Sequence, residues 1–166
     1  MRIGIALGSN LGDRLANLRS ARGAIVDLSA DKSSVLASRV YETEPIDCEA
    51  GAATFLNAVV EIEYDGDPTQ LLEKMIRVEE SLGRKRDHAR NVSRKIDIDL
   101  LYADELVINH ERLHLPHPRL HLRRFVLQPL ADIRSDLVLP AQSKTISELL
   151  AQTKDSSKVA CFAEKW

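Results

Sequence analysis

Residues 54 to 64 read Thr-Phe-Leu-Asn-Ala-Val-Val-Glu-Ile-Glu-Tyr, an alternation that an extended strand can use and a helix cannot. Leu56, Ala58, Val60 and Ile62 share one face, and Phe55, Asn57, Val59, Glu61 and Glu63 share the other. The chain therefore contains a strand with one packed face and one mixed face. Phe55 and Asn57 project together from the mixed face. That pair can hold a flat ring by stacking and hydrogen bonding, or it can belong to a partly covered sheet surface, and periodicity alone favours the second reading.

The neighbouring segments fit around this strand. Ile3 to Leu7 is a short apolar run that reads as a buried strand, with Gly8-Ser9-Asn10-Leu11-Gly12 as a structural turn after it. Asp13 is placed to cap a helix whose Leu15, Leu18, Ile25 and Leu28 fall on one side. Residues 35 to 41 read as a second strand, and Thr43 to Ala53 as a long loop. Asp67-Pro68-Thr69-Gln70 predicts a helix start, with Leu71, Met75, Val78 and Leu82 as its buried stripe and Gly83 as its stop. Residues 96 to 102 form a fourth strand. The order strand, helix, strand, strand, helix, strand predicts an α+β fold with a ferredoxin-like βαββαβ core, an antiparallel sheet carrying both helices on one face. A helix at 145–151 and a strand at Val159 to Phe162 extend it at the C-terminal end. The 166 residues fit one domain spanning 1–166.

Composition narrows the function classes. Net charge is −2, whereas a general nucleic-acid binder is usually basic, and aromatics at 4% are too few for a single-strand stacking sheet. Small-molecule substrates are expected in place of nucleic acid. No apolar run approaches the ~20 residues of a membrane span, and the first residues do not form a secretory signal. Cys48 and Cys161 read as two reduced thiols, so the expected location is the cytoplasm. A monomer is the expected state.

Against that neutral background, residues 84 to 99 stand out. Six Lys or Arg side chains fall in the first twelve positions, followed by Asp97 and Asp99. On a strand, residues two apart face the same way with Cα atoms ~6.5–7 Å apart, so both carboxylates project together. Such a pair suits one or two Mg2+ ions, which take their other ligands from water and phosphate oxygens. Arg84, Arg86, Arg90 and Arg94 can each offer forked hydrogen bonds to phosphate. The combination points to metal-assisted phosphoryl transfer. A second cluster, Arg112 to Phe125, holds four arginines and three histidines. His114, His117 and His121 invite a zinc reading, but Pro116 and Pro118 oppose the regular helix that would align them, so phosphate contacts fit better.

Ordered blocks along nearly the whole chain carry a family resemblance. They are Gly8-Ser9-Asn10-Leu11-Gly12, Tyr41-Glu42-Thr43-Glu44-Pro45, Phe55-Leu56-Asn57-Ala58, Gly83-Arg84-Lys85-Arg86, Asp97-Ile98-Asp99-Leu100-Leu101, Leu115-Pro116-His117-Pro118-Arg119 and Arg124-Phe125-Val126-Leu127-Gln128-Pro129-Leu130. The chain resembles the 6-hydroxymethyl-7,8-dihydropterin pyrophosphokinases of folate biosynthesis. The resemblance implies transfer of diphosphate from ATP to the pterin hydroxymethyl group, with release of AMP. It implies two Mg2+ on Asp97 and Asp99, and a pterin between Phe55 and Phe125 with Thr43, Pro45, Ile46 and Asn57 at its edge. It implies a nucleotide-binding set of Glu79, Arg86, Arg90, Leu100, Arg112, His117 and Arg123, with Arg84 and Arg94 stabilising charge during transfer. The basic loop and the Thr43–Ala53 loop would be two moving lids.

One departure matters. The family usually has Arg-Trp-Gly-Pro-Arg in the basic lid, and here the stretch is Arg90-Asn91-Val92-Ser93-Arg94. Both arginines are kept, but the aromatic cover is lost. Slower turnover or looser binding is expected, with the reaction unchanged. Asn91→Trp should then raise kcat/KM in a steady-state assay, and no gain would count against this account. Two rival functions remain open from sequence: a divergent member acting on another hydroxylated heterocycle, and a non-catalytic nucleotide-binding or RNA-binding module.

Overall fold

The computed structural model describes residues 1–44, 53–83 and 93–166. Eight strands and four α-helices occur among them. They are β1 (Arg2–Ser9), α1 (Arg14–Val26), β2 (Leu36–Ala37), β3 (Val40–Thr43), β4 (Phe55–Glu63), α2 (Pro68–Ser81), β5 (Asp97–Ala103), β6 (Ile108–His110), β7 (Leu113–Leu115), α3 (Arg124–Arg134), α4 (Ile146–Gln152) and β8 (Val159–Ala163). The main sheet runs β5-β1-β4-β3-β8 with β2 also on β4, and its pairings are antiparallel. The first strand lies beside the last strand of the βαββαβ unit, as the expected split arrangement requires.

Local chemistry starts the two early helices as the sequence predicts. The Asp13 carboxylate accepts from the Ala16 amide at 3.0 Å, and Asp67 accepts from Thr69 with Pro68 at the first helical position. Gly83 follows α2 at φ 93°, a left-handed value that glycine adopts without cost. α1 and α2 pack on one face of the sheet. Leu18, Ala21, Ile25, Leu71 and Met75 bury against Ile3, Ile5, Leu7, Leu56, Ala58, Val60 and Ile62.

The other face is also covered, which the sequence left open. α3 and α4 set Val126, Leu127, Leu130 and Ile146 against Val59, Leu101 and Tyr102. A bulge in the β1–β5 ladder makes this possible. Gly4 pairs with Tyr102 and Ile5 with Leu100, so Leu101 is an extra residue and both Leu101 and Tyr102 reach the second core. A Cβ on Gly4 would lie 2.2 Å from the Tyr102 ring, which is why glycine sits there.

Three expectations need correction. The strand over 35–41 is broken into β2 and β3. Ser38 interrupts it, its hydroxyl accepting the Val59 amide at 2.9 Å in place of a ladder bond. The supposed turn from Gly8 begins later, because β1 continues through Ser9 opposite Leu56. The stretch from Ile108 to Arg134, given no elements from sequence, contains the β6–β7 hairpin and α3.

Candidate functional site

Strands β5, β1, β4 and β3 and the N-terminal end of α3 enclose a cavity of about 130 Å3. Thr43, Phe55, Asn57, Arg94, Asp97, Asp99, His117, Arg123 and Phe125 all line it, so nine sequence-derived site residues converge. Gly8 and Ala6 on β1 pair with Asp97 and Asp99, and these small residues leave space beside the carboxylates. A Cβ at Gly8 would come within 3.2 Å of Asn57 Oδ1 and 3.9 Å of Asp97 Cβ, so glycine lets the two walls approach.

Two phenylalanines and an amide line the cavity. Phe55 and Phe125 come from β4 and from the first turn of α3. Asn57 is buried and its Nδ2 donates to Thr43 Oγ1 at 2.7 Å, so its Oδ1 is oriented by a fixed partner. Charged groups stand beside them, with the Arg123 guanidinium carbon 5.4 Å from the centre of the Phe125 ring. Arg94 Nη1 donates to Asp97 Oδ1 at 2.7 Å. Burial and the nearby Arg119 push the Arg123 pKa down from its usual value, while Asp99 and Asp97 oppose that shift. Burial first, then Arg123 and Arg119, lower the His117 pKa to about 4. His117 is therefore neutral near pH 7. Its Nδ1 accepts from the Arg119 amide at 3.2 Å, which assigns the proton to Nε2 and makes that atom a donor.

The carboxylate pair fits magnesium. The donor set is hard oxygen, and Mg2+ is normally held by one or two carboxylates with water and phosphate completing the octahedron. Among the described residues, His114, His117 and His121 belong to no group of three or more His, Cys, Asp or Glu side chains that could hold a metal ion.

Other expected residues stand elsewhere. Glu79 is buried on α2, and its Oε1 accepts the Ile98 amide at 2.8 Å, fixing β5 between the two aspartates. Leu100 packs into the first core, and Arg112 pairs with Glu73 at 2.6 Å. None of these three lines the cavity. Pro45, Ile46, Arg84, Arg86, Arg90 and Cys48 lie outside the described residues; Cys161 is an exposed free thiol.

Sequence reasoning missed the part played by Asn10. Its Oδ1 accepts the Arg94 amide at 2.7 Å, its own amide donates to the Arg94 carbonyl at 3.2 Å, and its Nδ2 donates to Ser93 Oγ at 3.2 Å. Asn10 thus anchors the segment that delivers Arg94. The only signal was its place in the Gly8–Gly12 block. A wider groove of about 810 Å3 runs past Glu61, Tyr102, Asp104 and Arg134. Glu61 and Glu63 both line it, but the buried Glu61 carboxylate is already committed to Arg134 and Tyr102, and Tyr102 is the groove's one aromatic lining residue among the described residues.

An α+β scaffold that sets two carboxylates and a cluster of cations beside two phenylalanines has the groups to bring a polyanion to a flat ring. The comparisons are specific. The family described as 7,8-dihydro-6-hydroxymethylpterin-pyrophosphokinase (HPPK) matches residues 4–135, and the chain belongs to that family. It is 39% identical over 155 residues to the 2-amino-4-hydroxy-6-hydroxymethyldihydropteridine pyrophosphokinase of Haemophilus influenzae, covering 93% of this chain and 94% of that protein. The protein of the same name from Bacillus subtilis is 43% identical over 129 residues, covering 78% of this chain and 75% of its own. Among solved structures, wild-type Plasmodium falciparum HPPK-DHPS with pterin and p-hydroxybenzoate aligns with TM-score 0.68 at 15% identity. That alignment covers 90% of this chain and 42% of the longer one, and it speaks to the fold alone.

Proposed function

We propose that this protein transfers diphosphate from ATP to the hydroxymethyl oxygen of 6-hydroxymethyl-7,8-dihydropterin, giving AMP and the pterin diphosphate. The observation that carries the reading is one cavity lined by both the acidic–cationic set and the aromatic–amide set. Membership of the pyrophosphokinase family supports it.

In this reading the hydroxymethyl oxygen attacks the β-phosphorus in line, the bond from that phosphorus to the oxygen bridging the α-phosphate breaks so that AMP leaves, and the hydroxyl proton passes to water. Phe55 and Phe125 hold the ring by its faces, and Asn57 reads its edge. Arg94 and Arg123 draw in phosphate oxygens, while the His117 Nε2–H donates without adding a charge. Asp97 and Asp99 would hold magnesium, which when bound supplies charge neutralisation on the phosphates. Positioning and electrostatics dominate, as expected for phosphoryl chemistry. The chain is read as one domain over 1–166, acting on small molecules as a cytoplasmic monomer. Among the described residues no helix is long and apolar enough to cross a membrane.

The test is a product assay. Protein, Mg-ATP and 6-hydroxymethyl-7,8-dihydropterin should yield AMP and pterin diphosphate in equal amounts, and EDTA should abolish both. ADP as product, or undiminished turnover in EDTA, would refute the reading. Parallel assays with other hydroxymethyl heterocycles check whether Asn91 marks a changed preference.

A further inference from the structure

Arg14 is not among the cavity-lining residues, yet it binds both strands that form the ring-facing wall. It opens α1, and its Nη1 donates to Glu42 Oε1 at 2.8 Å, to the Thr54 carbonyl at 2.9 Å and to Thr54 Oγ1 at 2.7 Å. Thr54 Oγ1 in turn donates to Glu42 Oε1 at 2.9 Å. The hydrogen bond from Arg14, then that from Thr54, holds the Glu42 carboxyl below its ordinary range, so the clip is charged near neutral pH. The Phe162 ring of β8 lies 5.8 Å from the guanidinium carbon.

The placement of the clip gives it a consequence. Glu42 immediately precedes Thr43, and Thr54 immediately precedes Phe55. Thr43 and Phe55 are partners in the β3–β4 ladder, and they form its last rung. Ladder ends open more readily than ladder centres, and a charge-assisted bond across the end opposes that opening. The same rung sets the Thr43 hydroxyl against Asn57 at 2.7 Å. Asp97 and Asp99 lie on β5, beyond β1 in the sheet, where no Arg14 bond reaches.

We propose that Arg14 is a positioning residue for ring recognition. Its bonds to Glu42 and Thr54 fix the terminal β3–β4 rung, and through it the spacing of Thr43, Phe55 and Asn57. The inference rests on the reading that the pterin ring occupies this cavity.

The test compares Arg14→Met, Arg14→Lys and Phe55→Ala in the full chain. Pterin affinity is measured by fluorescence titration with 6-hydroxymethylpterin in the presence of a non-hydrolysable ATP analogue, and KM is measured for both substrates. Arg14→Met should raise the pterin Kd and KM about tenfold while the KM for ATP moves less than about twofold. Arg14→Lys should recover part of the loss, because all three bonds come from one nitrogen and an ammonium can replace some of them. Unchanged pterin constants in Arg14→Met, with Phe55→Ala weakened, would overturn the role of Arg14 alone. Equal losses for both substrates with a lowered Tm would reduce Arg14 to a general stabiliser and also overturn it. Unchanged pterin binding in Phe55→Ala would remove the ring from the cavity, and both readings would fall.

Discussion

Replacing either Asp97 or Asp99 by alanine is expected to lower kcat by roughly a thousandfold, equivalent to about 4 kcal/mol of transition-state stabilisation. Both side chains line the cavity and both are partly exposed. Neither belongs to the apolar cores, so the fold should survive. Asp97→Ala also removes the ion pair with Arg94, whose side chains are 28% and 23% exposed respectively. Such pairs contribute at most about 1 kcal/mol, so Tm should move little. The measurement is AMP release at saturating Mg-ATP and pterin, with thermal unfolding in parallel. Near-normal turnover in the double variant would end the metal-assisted account. A large fall in Tm would show instead that the aspartates are structural.

The second large effect falls on stability. Glu61 lies in β4 with its side chain 4% exposed, held by Arg134 from α3 and by the Tyr102 hydroxyl at 2.5 Å. Burial, together with Glu61, raises the Tyr102 pKa far above its normal value, so the phenol stays a donor. Arg134→Ala would leave a buried carboxylate with only that neutral partner. Breaking one side of such a pair costs about 3 kcal/mol when the lost partner is itself partly exposed. For a chain of this size Tm should fall by roughly 6–12 °C. Combining Arg134→Met with Glu61→Gln should recover more than half of the fall, because no unpaired charge remains. KM for both substrates should stay near wild type in all of these variants. A Tm for Arg134→Ala within about 1 °C of wild type would contradict the assignment of Glu61 as a buried, dependent charge.

The βαββαβ frame was legible because its signals are local. Alternation marked β4, and Asp13, Asp67-Pro68 and Gly83 marked helix boundaries beside their own residues. Asp97 and Asp99 were legible for the same reason, since a spacing of two on a strand defines a face. α3 was hidden because its start is satisfied from a distance. No side chain caps it locally, and the Arg124 amide donates to Asp155, which lies 31 residues later. α3 also contains Pro129, a residue that disfavours a helix interior. The bulge at Leu101 was equally hidden, because it depends on the pairing of β5 with β1. The roles of Asn10 and Arg14 depend on contacts across 84 and 28 to 40 residues, and no local pattern encodes them.

α3 is also tied at its far end and along its side. Asp132 accepts from Arg39 and from Tyr41, and Arg134 binds Glu61, so the helix is fastened to β3, β4 and the segment around Asp155. Phe125 rides on its first turn. In the proposed ring site, the wall that Phe125 forms is thereby built into the scaffold before any guest arrives. An inhibitor should therefore gain more from planarity and rigidity than from adaptable side arms, since little ordering of that wall is left to be done on binding.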